Sequence, residues 1–342
     1  MSIEKILVIG PSWVGDMILA QTLFKVIRQR QPEAVIDVAA PAWTLPLLER
    51  MPEVRRGIAL PFRHGKLDLA ARLRIGRSLR REGYNQAVLL TNSLKSALVP
   101  WAASIPRRSG FLGELRYGLL NDIRPLDKTR LPRTVDRFAA LGLPPDEKVP
   151  AALPNPALAA SREQGLAALA RLGQPPPQSP VLGLCPGAEY GPAKRWPEAY
   201  HAAVAQWALA QGWQVWLFGS AKDMPVTQAI NQLTENRCLD LGGRTQLSDA
   251  IDLMALTSAV VSNDSGLMHL AAALQRPLVA IYGSSDPHHT PPMSELAKVL
   301  YLGLECSPCF ERTCPLGHLR CLRDITPPMV ISSLQQAFAQ PI

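Results

Sequence analysis

Short apolar runs alternate with amphipathic stretches along the first half of the chain, and this alternation predicts a β-α-β order. Residues 5–9 and 35–39 predict buried strands, and residues 15–30, whose apolar side chains recur at helical spacing, predict the helix between them. The pattern continues through residues 44–91, where helical stretches precede two further strands. Such an order predicts a parallel sheet that is covered on both faces.

The alternation stops at residues 104–135, which are basic and less regular, and resumes at Val181 after a proline-rich stretch. The three prolines at 175–177 predict a linker just before the renewed pattern. We therefore predict an α/β fold with one doubly wound, Rossmann-like domain over residues 1–175, a second over 176–326 and a closing helix over 327–342. Two such domains place a ligand cleft where the carboxyl ends of their sheets face each other.

Length and composition suit two hydrophobic cores. The chain has 342 residues, of which 47% are hydrophobic and 19% are charged, which is enough for two domains of ordinary size. No apolar run reaches the roughly 20 residues that a membrane-spanning helix requires. The first residues have the pattern of a strand and lack a signal-peptide cleavage site. These features predict a cytoplasmic protein.

Positive charge is concentrated in the first half of the chain. Residues 1–175 hold 26 lysines and arginines against 15 aspartates and glutamates, whereas residues 176–342 hold 10 against 13. A basic half predicts an anionic partner such as a lipid surface or a phosphorylated sugar, although a solvated basic face without a partner has the same composition. We do not expect nucleic acid as the partner, because stacking aromatics do not interleave with the basic residues.

The segment at 263–269 predicts a site for an anionic ligand. It joins the apolar run 259–262 to the apolar residues 270–273, as a turn between a strand and a helix would. The first turn of a helix leaves backbone N–H groups unpaired, so Ser265 and Gly266 would offer theirs to a diphosphate. Asp264 would either hold sugar hydroxyls or cap the helix, and His269 would either reach the same ligand or lie buried.

A second loop between a predicted strand and helix, residues 185–197, adds positive charge and has the sequence CPGAEYGPAKRWP. Lys194 and Arg195 are predicted to stabilise the charge that develops when a nucleoside diphosphate leaves, although a solvated pair has the same pattern. Glu189 and Tyr190 would contact the donor or shape the turn. Further strand ends predict the nucleoside pocket, with donor contacts from Ser220, Lys222 and Thr245.

Asp16 follows the first predicted strand, and its carboxylate would lie in the first turn of the first helix. There it would accept a proton from a sugar hydroxyl, or it would simply compensate the helix dipole. Gly10 and Gly15 precede it, but the third glycine of a dinucleotide fingerprint is missing, which disfavours an NAD enzyme.

Six cysteines are present, and four of them fall within residues 306–321. Cys306, Cys309, Cys314 and Cys321 have spacings that would chelate zinc, with His318 as a substitute ligand, or they would be reduced thiols or disulfides. Our prediction assigns them no metal.

These motifs together resemble the ADP-heptose:lipopolysaccharide heptosyltransferases, which belong to glycosyltransferase family 9 and have the GT-B fold. The resemblance covers essentially the whole chain and depends mainly on residues 10–17, 185–197 and 263–269, with the cysteine-rich segment as a further match. The loop around Lys194 favours the members that add the second heptose over those that add the first.

The resemblance implies inverting transfer of L-glycero-D-manno-heptose from ADP-heptose to the first heptose of heptosyl-Kdo2-lipid A, in the inner core of lipopolysaccharide. Asp16 would be the base, Lys194 the phosphate cation and Asp264 the anchor of the donor sugar. No metal cofactor is expected to be required. The anionic glycolipid acceptor agrees with the basic first half and with peripheral docking at the inner face of the inner membrane.

The acceptor contacts are less well determined by the sequence. Ser12 and Trp13 lie beside Asp16, and the candidate arginines are Arg63, Arg107 and Arg108, with Arg55 and Arg56 as further possibilities. The alternatives that remain open are a core glycosyltransferase with another acceptor and a non-catalytic protein that binds nucleotide or glycolipid.

Overall fold

The structure, a computed structural model, describes residues 3–62 and 66–339. The chain divides at Pro156 into two compact units. Among the described residues, no helix has both the length and the apolar character needed to cross a bilayer.

The first unit contains the following strands and helices within its described residues: β1 (Lys5–Ile9), α1 (Val14–Arg30), β2 (Val35–Pro41), α2 (Leu45–Leu48), β3 (Val54–Leu60), α3 (Leu69–Leu79), β4 (Gln86–Leu89), α4 (Leu94–Ala102), β5 (Arg107–Phe111), β6 (Asp122–Arg124) and α5 (Thr134–Leu141).

These strands form one six-stranded sheet of order β3-β2-β1-β4-β5-β6, in which every neighbouring pair is parallel. The central strand β1 is apolar after its first residue and buried, as a strand covered on both faces must be. Helix α1 is buried along much of its length, so the apolar spacing predicted from the sequence corresponds to real packing. The strand order reverses between β1 and β4, and Asp16 follows β1 at this point.

A buried carboxylate lies near the amino edge of the same sheet. Asp37 on β2 is fully buried and accepts hydrogen bonds from Arg55, Arg56 and Tyr84. Burial opposes ionisation of Asp37, but these donors outweigh it and hold its pKa below the ordinary value. Burial and the Asp37 hydrogen bond raise the pKa of Tyr84 to about 12. Arg55 and Arg56 are therefore both bound to a buried carboxylate at this edge.

The second unit contains the following strands and helices within its described residues: α6 (Arg162–Arg171), β7 (Val181–Cys185), α7 (Glu198–Ala210), β8 (Gln214–Leu217), α8 (Met224–Leu233), β9 (Leu239–Asp240), α9 (Leu247–Met254), β10 (Ala259–Asn263), α10 (Gly266–Ala273), β11 (Leu278–Ile281), β12 (Ala297–Leu300), α11 (Arg320–Arg323) and α12 (Pro327–Ala339).

This unit also has a six-stranded parallel sheet, of order β12-β11-β10-β7-β8-β9. The predicted doubly wound class is therefore confirmed in both halves. The order reverses between β7 and β10, and the carboxyl ends of strands at such a reversal are the usual ligand position in open α/β sheets. The two segments that the sequence singled out, residues 185–197 and 263–269, begin where these two strands end.

The unit boundary lies about twenty residues before the predicted one, at 156 instead of 175. Helix α6 accounts for the difference, because its contacts are with the second unit. The Ser161 backbone N–H donates to Asp252 at 2.7 Å, and Arg171 pairs with Asp249 at 2.5 Å. A Cβ at Gly165 would lie 2.7 Å from the Asp252 carbonyl oxygen, so the backbones of α6 and α9 approach closely. The predicted closing helix is α12, which packs on α7 in the second unit.

Candidate functional site in the second unit

Lys194 and Asp264, from the two loops at the strand-order reversal, form an ion pair. The Lys194 Nζ lies 2.5 Å from Asp264 Oδ2, with 19% of the lysine side chain and 6% of the aspartate side chain exposed. Ser285, in the loop after β11, donates its hydroxyl to the same oxygen at 2.5 Å. Both of these side-chain contacts use Asp264 Oδ2, and within the described part of the chain Oδ1 accepts no side-chain hydrogen bond.

Unpaired backbone amides lie next to this pair. Ser265 is the N-cap of α10, and its hydroxyl accepts the N–H of Met268 at 3.4 Å. The N–H groups of Ser265, Gly266 and Leu267 donate to nothing within residues 3–62 and 66–339, and these residues are partly exposed. Together with the helix dipole they form a site for an anion. The side chain that caps α10 is thus Ser265 rather than Asp264, which leaves Asp264 for the site.

The two loops are tied together by Asn263, for which the sequence indicated no role of its own. Asn263 is fully buried, donates its amide to the Pro186 carbonyl at 2.6 Å and accepts the Trp196 N–H at 3.2 Å. Trp196 is itself buried and donates its indole N–H to the Ile325 carbonyl. These bonds fix both ends of the lysine-bearing loop against β10.

We expect Asn263→Ala to lower the free energy of unfolding by roughly 2–4 kcal/mol, because it leaves the Pro186 carbonyl and the Trp196 N–H buried without partners. Urea unfolding monitored by tryptophan fluorescence measures the change. Gln232→Ala, at an exposed position on α8, is the control and is expected to stay within about 0.5 kcal/mol of the parent. A loss for Asn263→Ala as small as that of the control would contradict the assignment.

His269 is buried on α10 and its Nδ1 has no hydrogen-bond partner in the described chain. Burial lowers the pKa of His269 to about 4, against the opposing charge of Asp264 and with help from Lys194. The imidazole is therefore neutral near pH 7 and cannot serve as a phosphate cation there. The structure shows that His269 is buried, and its predicted contact with the ligand stays a prediction.

Glu189 and Lys222 come from different loops and form a contact ion pair with each other. Both side chains are exposed, so the pair adds little to stability. Ser220 binds Asp223 through its hydroxyl at 2.7 Å. Thr245 lies partly exposed in the loop before α9. The sequence predicted that all four residues contact the donor. The structure shows one contact among them, the ion pair between Glu189 and Lys222.

Tyr190 and Arg195 flank the lysine. The Tyr190 ring lies 5.1 Å from the Lys194 ammonium, and its hydroxyl donates to the Phe310 carbonyl at 2.6 Å. Arg195 is partly buried and its Nε has no hydrogen-bond partner among the described residues. Tyr190 thus connects the lysine-bearing loop to the cysteine-rich segment, residues 306–321.

The four cysteines of that segment line one small cavity of about 20 Å³, together with Ala193 and Ser284 among others. All four are free thiols. Burial raises the pKa of Cys314, but backbone N–H groups that point at its sulfur outweigh this and lower it below the ordinary value. Burial and the neighbouring sulfurs raise the pKa of Cys321 to about 11. As placed in the described residues, no three ligating side chains are arranged to hold a metal ion.

In the first unit, Asp16 lies in the first turn of α1 and is partly exposed. Trp13, the N-cap residue, is 54% exposed and Ser12 is exposed beside it. Trp43 donates its indole N–H to the Ser12 carbonyl at 2.9 Å and is itself 55% exposed. Two large aromatic surfaces therefore lie open near the carboxylate, and only one of them was predicted.

The predicted arginines do not join this group. Arg107 and Arg108 begin β5, at the amino edge of the sheet, whereas Asp16 follows the carboxyl end of the parallel strand β1. Arg107 pairs with Asp122, and Arg108 donates to the backbone carbonyls of Leu119 and Ile105. The structure therefore does not bring these two arginines to the edge where Asp16 lies, and their predicted contact with the acceptor stays a prediction. Arg63 lies outside the described residues.

Comparison with known proteins agrees with the family resemblance that the sequence motifs indicate. The family model described as glycosyltransferase family 9 (heptosyltransferase) matches residues 72–320. The chain is 46% identical to lipopolysaccharide heptosyltransferase 2 of Salmonella typhimurium, over 98% of this chain and 99% of that protein. The protein of the same name from Escherichia coli K12 gives the same identity and coverage. The solved structure of E. coli ADP-heptose lps heptosyltransferase II is similar with a TM-score of 0.87 at 44% identity, covering 98% of this chain and 99% of that one.

Proposed function

This chain belongs to glycosyltransferase family 9, the heptosyltransferases, and from that premise we propose which transfer it catalyses. The donor is ADP-L-glycero-D-manno-heptose, and the acceptor is the first heptose of heptosyl-Kdo2-lipid A in the lipopolysaccharide inner core. The observation that carries the proposal is the Lys194–Asp264 pair beside the unpaired amides of α10. This arrangement combines a cation, a carboxylate and an anion site at the point where the strand order reverses between β7 and β10.

On the donor side, the diphosphate binds at the start of α10, where Ser265 and Gly266 present their N–H groups. Lys194 supplies a fixed positive charge where the leaving ADP gains negative charge, and partial burial strengthens that interaction relative to water. Asp264 holds the lysine through Oδ2 and offers Oδ1 to hydroxyls of the heptose. Ser285 donates to the same oxygen as Lys194 and helps to fix the orientation of the carboxylate.

On the acceptor side, Asp16 is the general base. It takes the proton of the acceptor hydroxyl while that oxygen forms a bond to the anomeric carbon, and the bond from this carbon to the ADP oxygen breaks with its electrons passing to ADP. A single displacement of this kind inverts the anomeric configuration. The exposed rings of Trp13 and Trp43 give a surface on which a sugar face can stack.

The acceptor is an anchored glycolipid, so the enzyme would act at the cytoplasmic face of the inner membrane. The excess of lysine and arginine in residues 1–175 supports peripheral binding to an anionic surface. We further propose that transfer needs no metal cofactor, since Lys194 and the α10 amides provide the positive charge for ADP departure.

An acceptor pair tests the proposal. Purified enzyme, ADP-heptose and EDTA are incubated with Kdo2-lipid A that either carries or lacks its first heptose, and ADP release and glycolipid mass are measured. We expect transfer only to the heptosylated acceptor. Transfer only to the acceptor without heptose would assign the first-heptose reaction instead, and ADP binding without release on either acceptor would indicate a non-catalytic protein. Activity that EDTA abolishes and Mg²⁺ restores would contradict metal independence.

A further inference from the structure

The cysteine-rich segment, residues 306–321, is bonded directly to the loop that carries Lys194. The Arg312 carbonyl accepts the Ala193 N–H at 3.0 Å, and the Arg312 Nε donates to the Tyr190 carbonyl at 2.7 Å. A Cβ at Gly191 would lie 2.4 Å from the Arg312 carbonyl oxygen, so the two backbones approach as closely as a glycine allows. Arg312 is therefore held firmly against the donor loop.

This contact brings a second cation to the Tyr190 ring, which Lys194 also approaches. The guanidinium carbon of Arg312 lies 5.4 Å from the centre of the Tyr190 ring, and the Lys194 ammonium lies 5.1 Å from the same centre. Tyr190 is thus flanked by two positive charges, one from each segment. The Tyr190 hydroxyl, bonded to the Phe310 carbonyl, keeps the ring in place between the segments.

The two cations differ in how their charge is balanced. Lys194 is paired with Asp264, and Lys222 nearby is paired with Glu189. Arg312 is exposed, and no carboxylate pairs with it in the described part of the chain. Its one side-chain hydrogen bond uses Nε, and both terminal amino groups of the guanidinium are without a hydrogen-bond partner among the described residues. An arginine fork in this state matches two oxygens of a phosphate.

We propose that Arg312 is a second phosphate-binding cation of the donor site, which the cysteine-rich segment positions. Lys194 meets the diphosphate as a point charge that Asp264 has partly neutralised, and Arg312 contributes the unbalanced charge that draws the anion in. The ligand class, a nucleoside diphosphate, rests on the proposed function. The contacts of Arg312 with the lysine-bearing loop are the basis for the proposal that the cysteine-rich segment positions this arginine.

Calorimetric titration with ADP, AMP and adenosine, without any acceptor, tests this inference. Arg312→Gln keeps an amide donor for the Tyr190 carbonyl and removes the charge. We expect roughly tenfold weaker ADP binding, a smaller loss for AMP and no change for adenosine, because a charged hydrogen bond to phosphate is lost. The salt dependence of ADP binding is expected to become shallower.

Arg320→Gln is the control, since Arg320 is an exposed arginine of the same segment that pairs with Asp324, and it is expected to bind ADP as the parent does. Unchanged ADP affinity in Arg312→Gln would overturn the inference. Equal losses for ADP and adenosine would also overturn it, because they would show a merely structural role. A parent enzyme that binds ADP but transfers no heptose would refute the proposed function and leave this inference standing.

Discussion

Asp16→Asn is expected to lower the turnover of heptose transfer by roughly 10²–10⁴-fold while ADP binding stays unchanged. The amide is nearly isosteric with the carboxylate but cannot take the proton of the acceptor hydroxyl. ADP affinity is expected to persist because the residues proposed to bind the diphosphate lie in the second unit. Steady-state ADP release and calorimetric titration of ADP measure the two quantities.

The chain offers a closely matched control for this variant. Asp249 occupies the third position of α9, as Asp16 does in α1, so both carboxylates compensate a helix dipole from the same place. Asp249→Asn is expected to retain the turnover of the parent. If Asp16→Asn transfers heptose within about threefold of the parent, then Asp16 is not the base.

Lys194→Ala is expected to lower turnover by roughly 10²–10³-fold and to weaken ADP binding as well. It removes the charge that we propose faces the leaving group. It also leaves the buried Asp264 carboxylate with Ser285 as its only described side-chain partner, so an unbalanced negative charge stands at the proposed ADP site. Both losses are measured by the assays used for Asp16.

A double variant separates these two effects. Lys194→Ala combined with Asp264→Asn removes the uncompensated carboxylate, so ADP affinity is expected to recover in part while turnover stays low. Lys298→Ala, at an exposed position on β12, is the charge-matched control and is expected to behave as the parent. ADP affinity and turnover that are both unchanged in Lys194→Ala would remove the lysine from the site.

The periodicity of the sequence was sufficient for the long and strongly apolar elements. Helix α1 and strands β1 and β7 were predicted to within about one residue, because their apolar runs have one interpretation. Strands β5 and β12 were missed. β5 begins with two arginines and β12 is largely exposed, so neither shows the apolar run of a buried strand. These two segments are strands because a neighbouring strand of the folded sheet supplies their hydrogen-bond partners, which the local sequence does not reveal.

The dependence on apolar runs also explains which parts of the site could be predicted from the sequence. Predicted family membership is confirmed, and the loops after β7 and β10 do meet, because parallel strands align their carboxyl ends. The position of Arg107 and Arg108 at the amino edge was not predicted, because an unrecognised strand gives no indication of which sheet edge its first residues occupy. Ser285 lies in a loop without a motif, and in the cysteine-rich segment the sequence drew attention to the thiols and not to Arg312. The contacts of Ser285 with Asp264 and of Arg312 with Tyr190 arise from the packing of segments that are distant in sequence. The individual roles of the site residues stay predictions.

Helix α6 precedes the proline run in the chain but packs with α9, where Gly165 meets the Asp252 backbone. A chimaera joined to a relative at the prolines would take α6 from one parent and α9 from the other, so the tight glycine contact would face an unmatched surface. A crossover after Pro156 inherits both helices from one parent. That splice point respects the packing, and with it a chimaera would test whether acceptor preference follows the first unit, as proposed.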